Sequence, residues 1–72
     1  MKASTFLARR NELLQSIRFL DAEIDAVLSG ERSAENADRA KRLFADREHV
    51  ADLLGLEFGV DVEPHVAVWS RG

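Results

Sequence analysis

The residues most able to do chemistry in this sequence are two histidines and a scatter of carboxylates. His49 stands among Asp46, Glu48 and Asp52, and His65 follows the single proline, Pro64. A helical histidine with an aspartate three positions on can supply two metal ligands. A catalytic zinc needs three from the protein, and no His-Glu-x-x-His run occurs. Such histidines are mostly surface or capping residues, so no metal is expected. The serines at 4, 16, 29, 33 and 70 lie in no Gly-x-Ser-x-Gly setting. The glycines at 30, 55, 59 and 72 are too dispersed to cradle a phosphate. With no cysteine there is no thiol catalysis, zinc ribbon or disulfide framework. Neither a cofactor nor an enzymatic activity is expected.

Acidic pairs on facing helices hold magnesium in all-α nucleotide pyrophosphatases, as Glu-x-x-Glu followed at a distance by Glu-x-x-Asp. Here Glu35-Asn36-Ala37-Asp38 fits the second half, and nothing before it fits the first. The net charge of −3 and pI near 5.3 argue against a general nucleic-acid binder, which carries a domain pI above ~9. Eight of the ten basic residues are arginine, a bias that suits a GC-rich bacterial or phage genome. Arg39, Lys41 and Arg42 form the candidate nucleic-acid face, with Arg9, Arg10, Arg18 and Arg47 as further basic material on the helices. Asp21 and Asp46 are expected to neutralise Arg42 and Arg18, leaving an internally paired charge face.

These side chains must be positioned by helices first. Phe6, Leu13, Ile17, Leu20, Ile24 and Val27 follow steps of seven, four, three, four and three, one face of a helix spanning about 5–29. A second row at Leu7, Leu14 and Leu28 is broken only by Asp21, so the stripe is wider than a coiled-coil seam. Ser4 or Thr5 is the expected cap, and Gly30 the left-handed stop. Ser33 caps a second helix, about 34–54, whose seam is Ala40, Leu43, Arg47, Val50 and Leu54, flanked by Ala37, Phe44 and Ala51. Gly55 is its expected stop. The short connection forces an antiparallel hairpin pairing positions whose numbers sum to about 63 or 64. Acidic Asp21, Glu23 and Asp25 then lie alongside Arg39, Lys41 and Arg42.

Arg10 and Arg47 each interrupt an apolar seam. A buried unpaired charge is prohibitive, so each must snorkel to water or pair with a carboxylate in an oligomer, where it could also fix register.

From Leu56 the period changes to two. Leu56, Phe58, Val60 and Val62 alternate with polar residues or glycine, and Val66 and Val68 continue that face past Pro64. An extended β segment over about 56–69 is predicted, confined to an edge by the proline and needing a partner strand. Trp69, the sole tryptophan, is a candidate interface anchor.

The reading is thus mainly α. One small domain of 72 residues holds a hairpin (1–55) and an extended tail (56–72), assembling into a helical-bundle oligomer with a dimer favoured. The expected oligomer interface comprises Phe6, Leu13, Leu14, Ile17, Leu20 and Ile24 of the first helix with Leu43, Phe44, Val50 and Leu54 of the second. The partner-binding tail comprises Leu56, Phe58, Val60, Val62, Val66, Val68 and Trp69. A non-catalytic interaction module follows, an adaptor, assembly factor or inhibitor that self-associates and pairs with another protein through its tail. In size and hairpin plan the chain resembles the Rop type of plasmid regulator, small hairpins that dimerise into four-helix bundles and bind RNA, though the tail departs from it. The resemblance implies the alternative, a nucleic-acid-binding regulator using Arg39, Lys41 and Arg42. No stretch approaches the ~18 apolar residues of a membrane span, and the N-terminus carries charge where a signal peptide would be apolar. A cytoplasmic protein with no membrane association is expected.

Overall fold

The computed structural model describes residues 3–65. Two helices, α1 (Ala3–Leu28) and α2 (Ala34–Phe58), pack against each other as an antiparallel hairpin. The molecule is a rod of 49 × 16 × 15 Å. Neither helix is long and apolar enough to cross a membrane.

Register follows the predicted pairing. Phe6 meets Phe58 with ring centroids 4.7 Å apart, and Ile24 packs with Ala40; both pairs sum to 64. The core is a thin seam. Ile24 and Leu54 are wholly buried, and Ile17, Val27, Leu28 and Ala40 nearly so. At the loop end, Leu43 and Phe44 pack against the cluster of Ile24, Val27, Leu28 and Ala40. The small Ala40 lets the backbones approach where Ile24 fills the space between them.

Helix ends differ from the expected ones in instructive ways. α1 already begins at Ala3, so Ser4 and Thr5 lie inside its first turn rather than capping it. Its C-terminus closes without a left-handed residue. The Ser29 N–H donates to the Asp25 carbonyl at 2.9 Å, the Ser29 hydroxyl donates to the Ala26 carbonyl, and the Gly30 N–H donates to the Val27 carbonyl. Gly59 is the one glycine with positive φ among the described residues. Ser33 caps α2 as predicted, its hydroxyl accepting from the Asn36 N–H. The Asn36 side chain reaches back to the Glu31 carbonyl and stiffens the loop.

The predicted β segment is corrected. There is no strand among the described residues, and α2 continues through Gly55 to Phe58. Gly59, with φ of 66°, is the true stop. Its N–H donates to the Gly55 carbonyl and that of Val60 to the Leu54 carbonyl, the paired bonds of a Schellman cap. Leu56 and Phe58 therefore belong to the last helical turn. Phe58 packs on Phe6, while Leu56 is 86% exposed on the outer face. From Val60 the chain turns back along the hairpin, with Val60 and Val62 half-buried. The tail positions Val66, Val68 and Trp69 lie outside the described residues.

The two glycines should respond oppositely to alanine. At Gly59, an L-residue forced into the left-handed region should lose about 1–2 kcal/mol. At Gly30 φ lies outside that region and the added Cβ would meet nothing nearer than the Val27 carbonyl at 3.4 Å. There the change should be neutral or stabilise by up to about 1 kcal/mol. Thermal melts of the two variants, followed by circular dichroism, check the contrast.

Candidate functional site

The polar interruptions of the two apolar patterns meet each other. Arg47, in the seam of α2, is 8% exposed. Its Nε donates to Oδ1 of Asp21, the residue that breaks the second apolar row of α1. Its Nη2 donates to the carbonyl of Glu63 at 2.8 Å, tying the returning segment to the hairpin. Arg47 thus neither snorkels nor waits for an oligomer, because its carboxylate comes from the same chain.

His65 completes the cluster. Its Nδ1 lies 2.7 Å from Oδ1 of Asp21 and its Nε2 lies 3.0 Å from Oδ1 of Asp25. Its ring stands edge-on to Phe44 with centroids 5.7 Å apart. An ionised carboxylate can only accept, so both ring contacts are hydrogen bonds only when both nitrogens carry protons. Burial works to raise the pKa of Asp21. Hydrogen bonds from Arg47 and His65, with the attraction of both cations, outweigh it and hold the carboxyl below its ordinary value of 3.8. With the ring protonated, two cations face two anions and the cluster is charge-balanced. The histidine nitrogens address separate carboxylates rather than converging with them on one point, and no metal-holding group occurs among the described residues.

The returning segment divides the hairpin into two flanks. It lies on the side of Asp21, Phe44 and Arg47, and Val60, Asp61 and Val62 border a shallow depression with Ala51, Gly55 and Leu56. The other flank is open. There Leu20 of α1 and Val50 of α2 form the floor of a groove of about 630 Å³, with Ser16, Glu12, Gln15 and Phe19 along its wall. Phe19 is 65% exposed. Leu13, one heptad before Leu20, and Leu43 and Leu53, seven before and three after Val50, continue this face and are half-buried.

The far end of the rod is clamped separately. Arg9 makes a two-pronged contact with Glu57, Nε to Oε1 at 3.2 Å and Nη2 to Oε2 at 3.1 Å. The hydrogen bond and charge of Arg9 hold the Glu57 carboxyl below its usual range, and Glu57 in turn raises the Arg9 pKa. Arg10, the other seam interruption, has a buried Nε without a hydrogen-bond partner among the described residues.

Of the expected interface residues, Ile17, Ile24 and Leu54 are consumed by the hairpin's own core. Phe44 lies against His65, and Leu14 is half-buried one heptad from Asp21. Leu13, Leu20, Leu43 and Val50 remain on the open flank, and Phe6 keeps 41% exposure beside Phe58. Arg39, Lys41 and Arg42 are exposed, and Arg39 and Arg42 share a depression with Glu35, Asn36 and Asp38. The expected neutralisation of Arg42 by Asp21 is corrected, since Asp21 is engaged by Arg47 and His65. Sequence reasoning missed Phe19 and the clasp of His65. The signal for the clasp was present in two facts held apart, a seam arginine and an aspartate replacing leucine in the facing row.

Comparison of the chain with protein-family models, with curated proteins and with solved structures finds no match.

Proposed function

We propose that this chain is a non-catalytic protein–protein interaction module that self-associates through the open flank of its hairpin and engages a partner chain with its C-terminal segment. The observation carrying this reading is the apolar groove over Leu20 and Val50, walled by the exposed Phe19. Groove and protruding ring lie on one patch, which is what a two-fold interface needs: each copy offers the knob that fills the other's hole.

Magnitudes favour a dimer. A flank of a rod 49 Å long and 16 Å wide offers roughly 800 Å², about what each partner gives to a standard stable interface. The lack of cysteine suits work in a reducing compartment such as the cytoplasm. The nucleic-acid alternative draws less support, because Glu35 and Asp38 sit beside Arg39 and Arg42 and weaken the field a phosphate would feel.

Sedimentation equilibrium tests the reading. The full chain should be a dimer, Leu20→Glu and Val50→Glu should be folded monomers, and Leu56→Glu, on the outer face, should stay dimeric. A chain ending at Val60 keeps both bonds of the α2 cap and should also stay dimeric. A full chain that remains monomeric at roughly 100-fold above micromolar concentration, where interfaces of this size are normally occupied, would sink the proposal.

A further inference from the structure

The segment assigned to partner binding is held down by a group that can lose a proton. After the cap at Gly59 and Val60, it is tied to the hairpin by the Arg47 bond to the Glu63 carbonyl and the two carboxylate contacts of His65. Facing the ring from α1 are Asp21 and Asp25. From α2 come the Arg47 guanidinium, sharing Oδ1 of Asp21, and the Phe44 ring. On its own segment Glu63, two residues before the ring, is exposed and gives its carbonyl to Arg47.

We propose that His65 is a protonation-dependent catch: with both ring nitrogens protonated it clasps the C-terminal segment to the hairpin, and on losing one proton it releases that segment for a partner chain. The release for a partner rests on the function proposed above, while the catch itself does not.

The geometry sets the direction. With the ring doubly protonated, Arg47 and His65 balance Asp21 and Asp25, and every ring nitrogen has an acceptor. Removing one proton leaves a nitrogen lone pair facing a carboxylate oxygen at 3.0 Å or less, and the cluster gains a net negative charge. Both changes are repulsive, and a neutral imidazole cannot donate twice. The strain falls first on the outer contact. The Asp25 side chain is 69% exposed and can turn to water, whereas that of Asp21 is 31% exposed and pinned by Arg47. The catch therefore opens from the Asp25 side, and the segment from Val60 to His65 is released from the hairpin with it.

The test follows amide exchange at Val62, Glu63 and His65, corrected for the intrinsic pH dependence. It is read from about pH 5 to about pH 8, where imidazoles exchange protons. In the full chain, protection should fall roughly tenfold across this range, as expected for losing one charged hydrogen bond. His65→Gln should show low protection and no pH response. His49, exposed on α2, is present in both proteins, so their difference isolates His65. Asp25→Asn, an exposed change that leaves the core untouched, should flatten the response and guards against misfolding of the first variant. Protection that stays constant with pH in the full chain, or an unchanged pH profile in either variant, would overturn the catch. Loss of the dimer in sedimentation would overturn only the self-association reading, so the two failures are separable.

Discussion

Arg47→Ala should cost about 3–5 kcal/mol of folding stability, the usual price of removing one partner from a buried ion pair. Three things are lost together: the charge that offsets burial of Asp21, the bond to the Glu63 carbonyl, and the aliphatic stem in the α2 seam. A single core in a chain of this size supplies only ~3–5 kcal/mol, so the variant should lack a cooperative urea transition at neutral pH, read by circular dichroism. Replacing both members, Asp21→Leu with Arg47→Met, should recover much of the loss, since it restores the apolar row and leaves no unpaired charge. The effect has a defined pH sense. The folded-state pKa of Asp21 is lowered, so its contribution is fully present above the ordinary value of 3.8 and is lost as pH falls through the lowered folded value. The double-mutant coupling should shrink in acid accordingly. A single-mutant cost below about 1 kcal/mol would place Arg47 among exposed ion pairs instead.

Ile24→Ala should be nearly as severe, at about 2–5 kcal/mol. Ile24 is wholly buried, and its neighbour across the hairpin, Ala40, is too small to swing into the gap. Rigid helix backbones on both sides limit collapse, which favours the upper half of that range. The informative comparison is Leu13→Ala, because Leu13 is half-buried on the open flank and should lose correspondingly less in the monomer. Urea midpoints of the two variants, measured below the concentration at which the chain associates, decide it. If both lose the same amount, the core does not sit where burial puts it.

The hairpin was legible because its signals were redundant. Seven-residue spacing, a serine cap at Ser33 and a short loop all required the same antiparallel pairing, and Phe6 against Phe58 and Ile24 against Ala40 satisfy it. The end of α2 was not legible because its letters serve two periods. Leu56, Phe58 and Val60 alternate as a strand would, yet Phe58 also stands four from Leu54 and seven from Ala51, on the continuing helical face. Two glycines four residues apart could each stop the helix. The choice fell to Gly59 because stopping there lets Phe58 reach Phe6 and Glu57 reach Arg9. The Arg47 cluster was hidden for a different reason. Asp21 and Arg47 lie about one helical turn off the direct register, a gap that a long arginine side chain spans but position counting does not. His65 was beyond reach by pattern, since its partners depend on how a segment without regular structure folds back.

The sequence distances between partners carry a consequence for the order of folding. Contacts near the loop, such as Asn36 to Glu31, join residues five apart, whereas His65 bridges to residues 44 and 40 positions away. Closing a long loop costs more entropy before any contact rewards it. The hairpin should therefore nucleate around Ile24 and Ala40, zip toward Phe6 and Phe58, and take in the returning segment last. Changes at Ile24 should chiefly slow folding and changes at His65 chiefly hasten unfolding. The segment that docks last is then also the one that leaves first, without the hairpin beneath it having to melt.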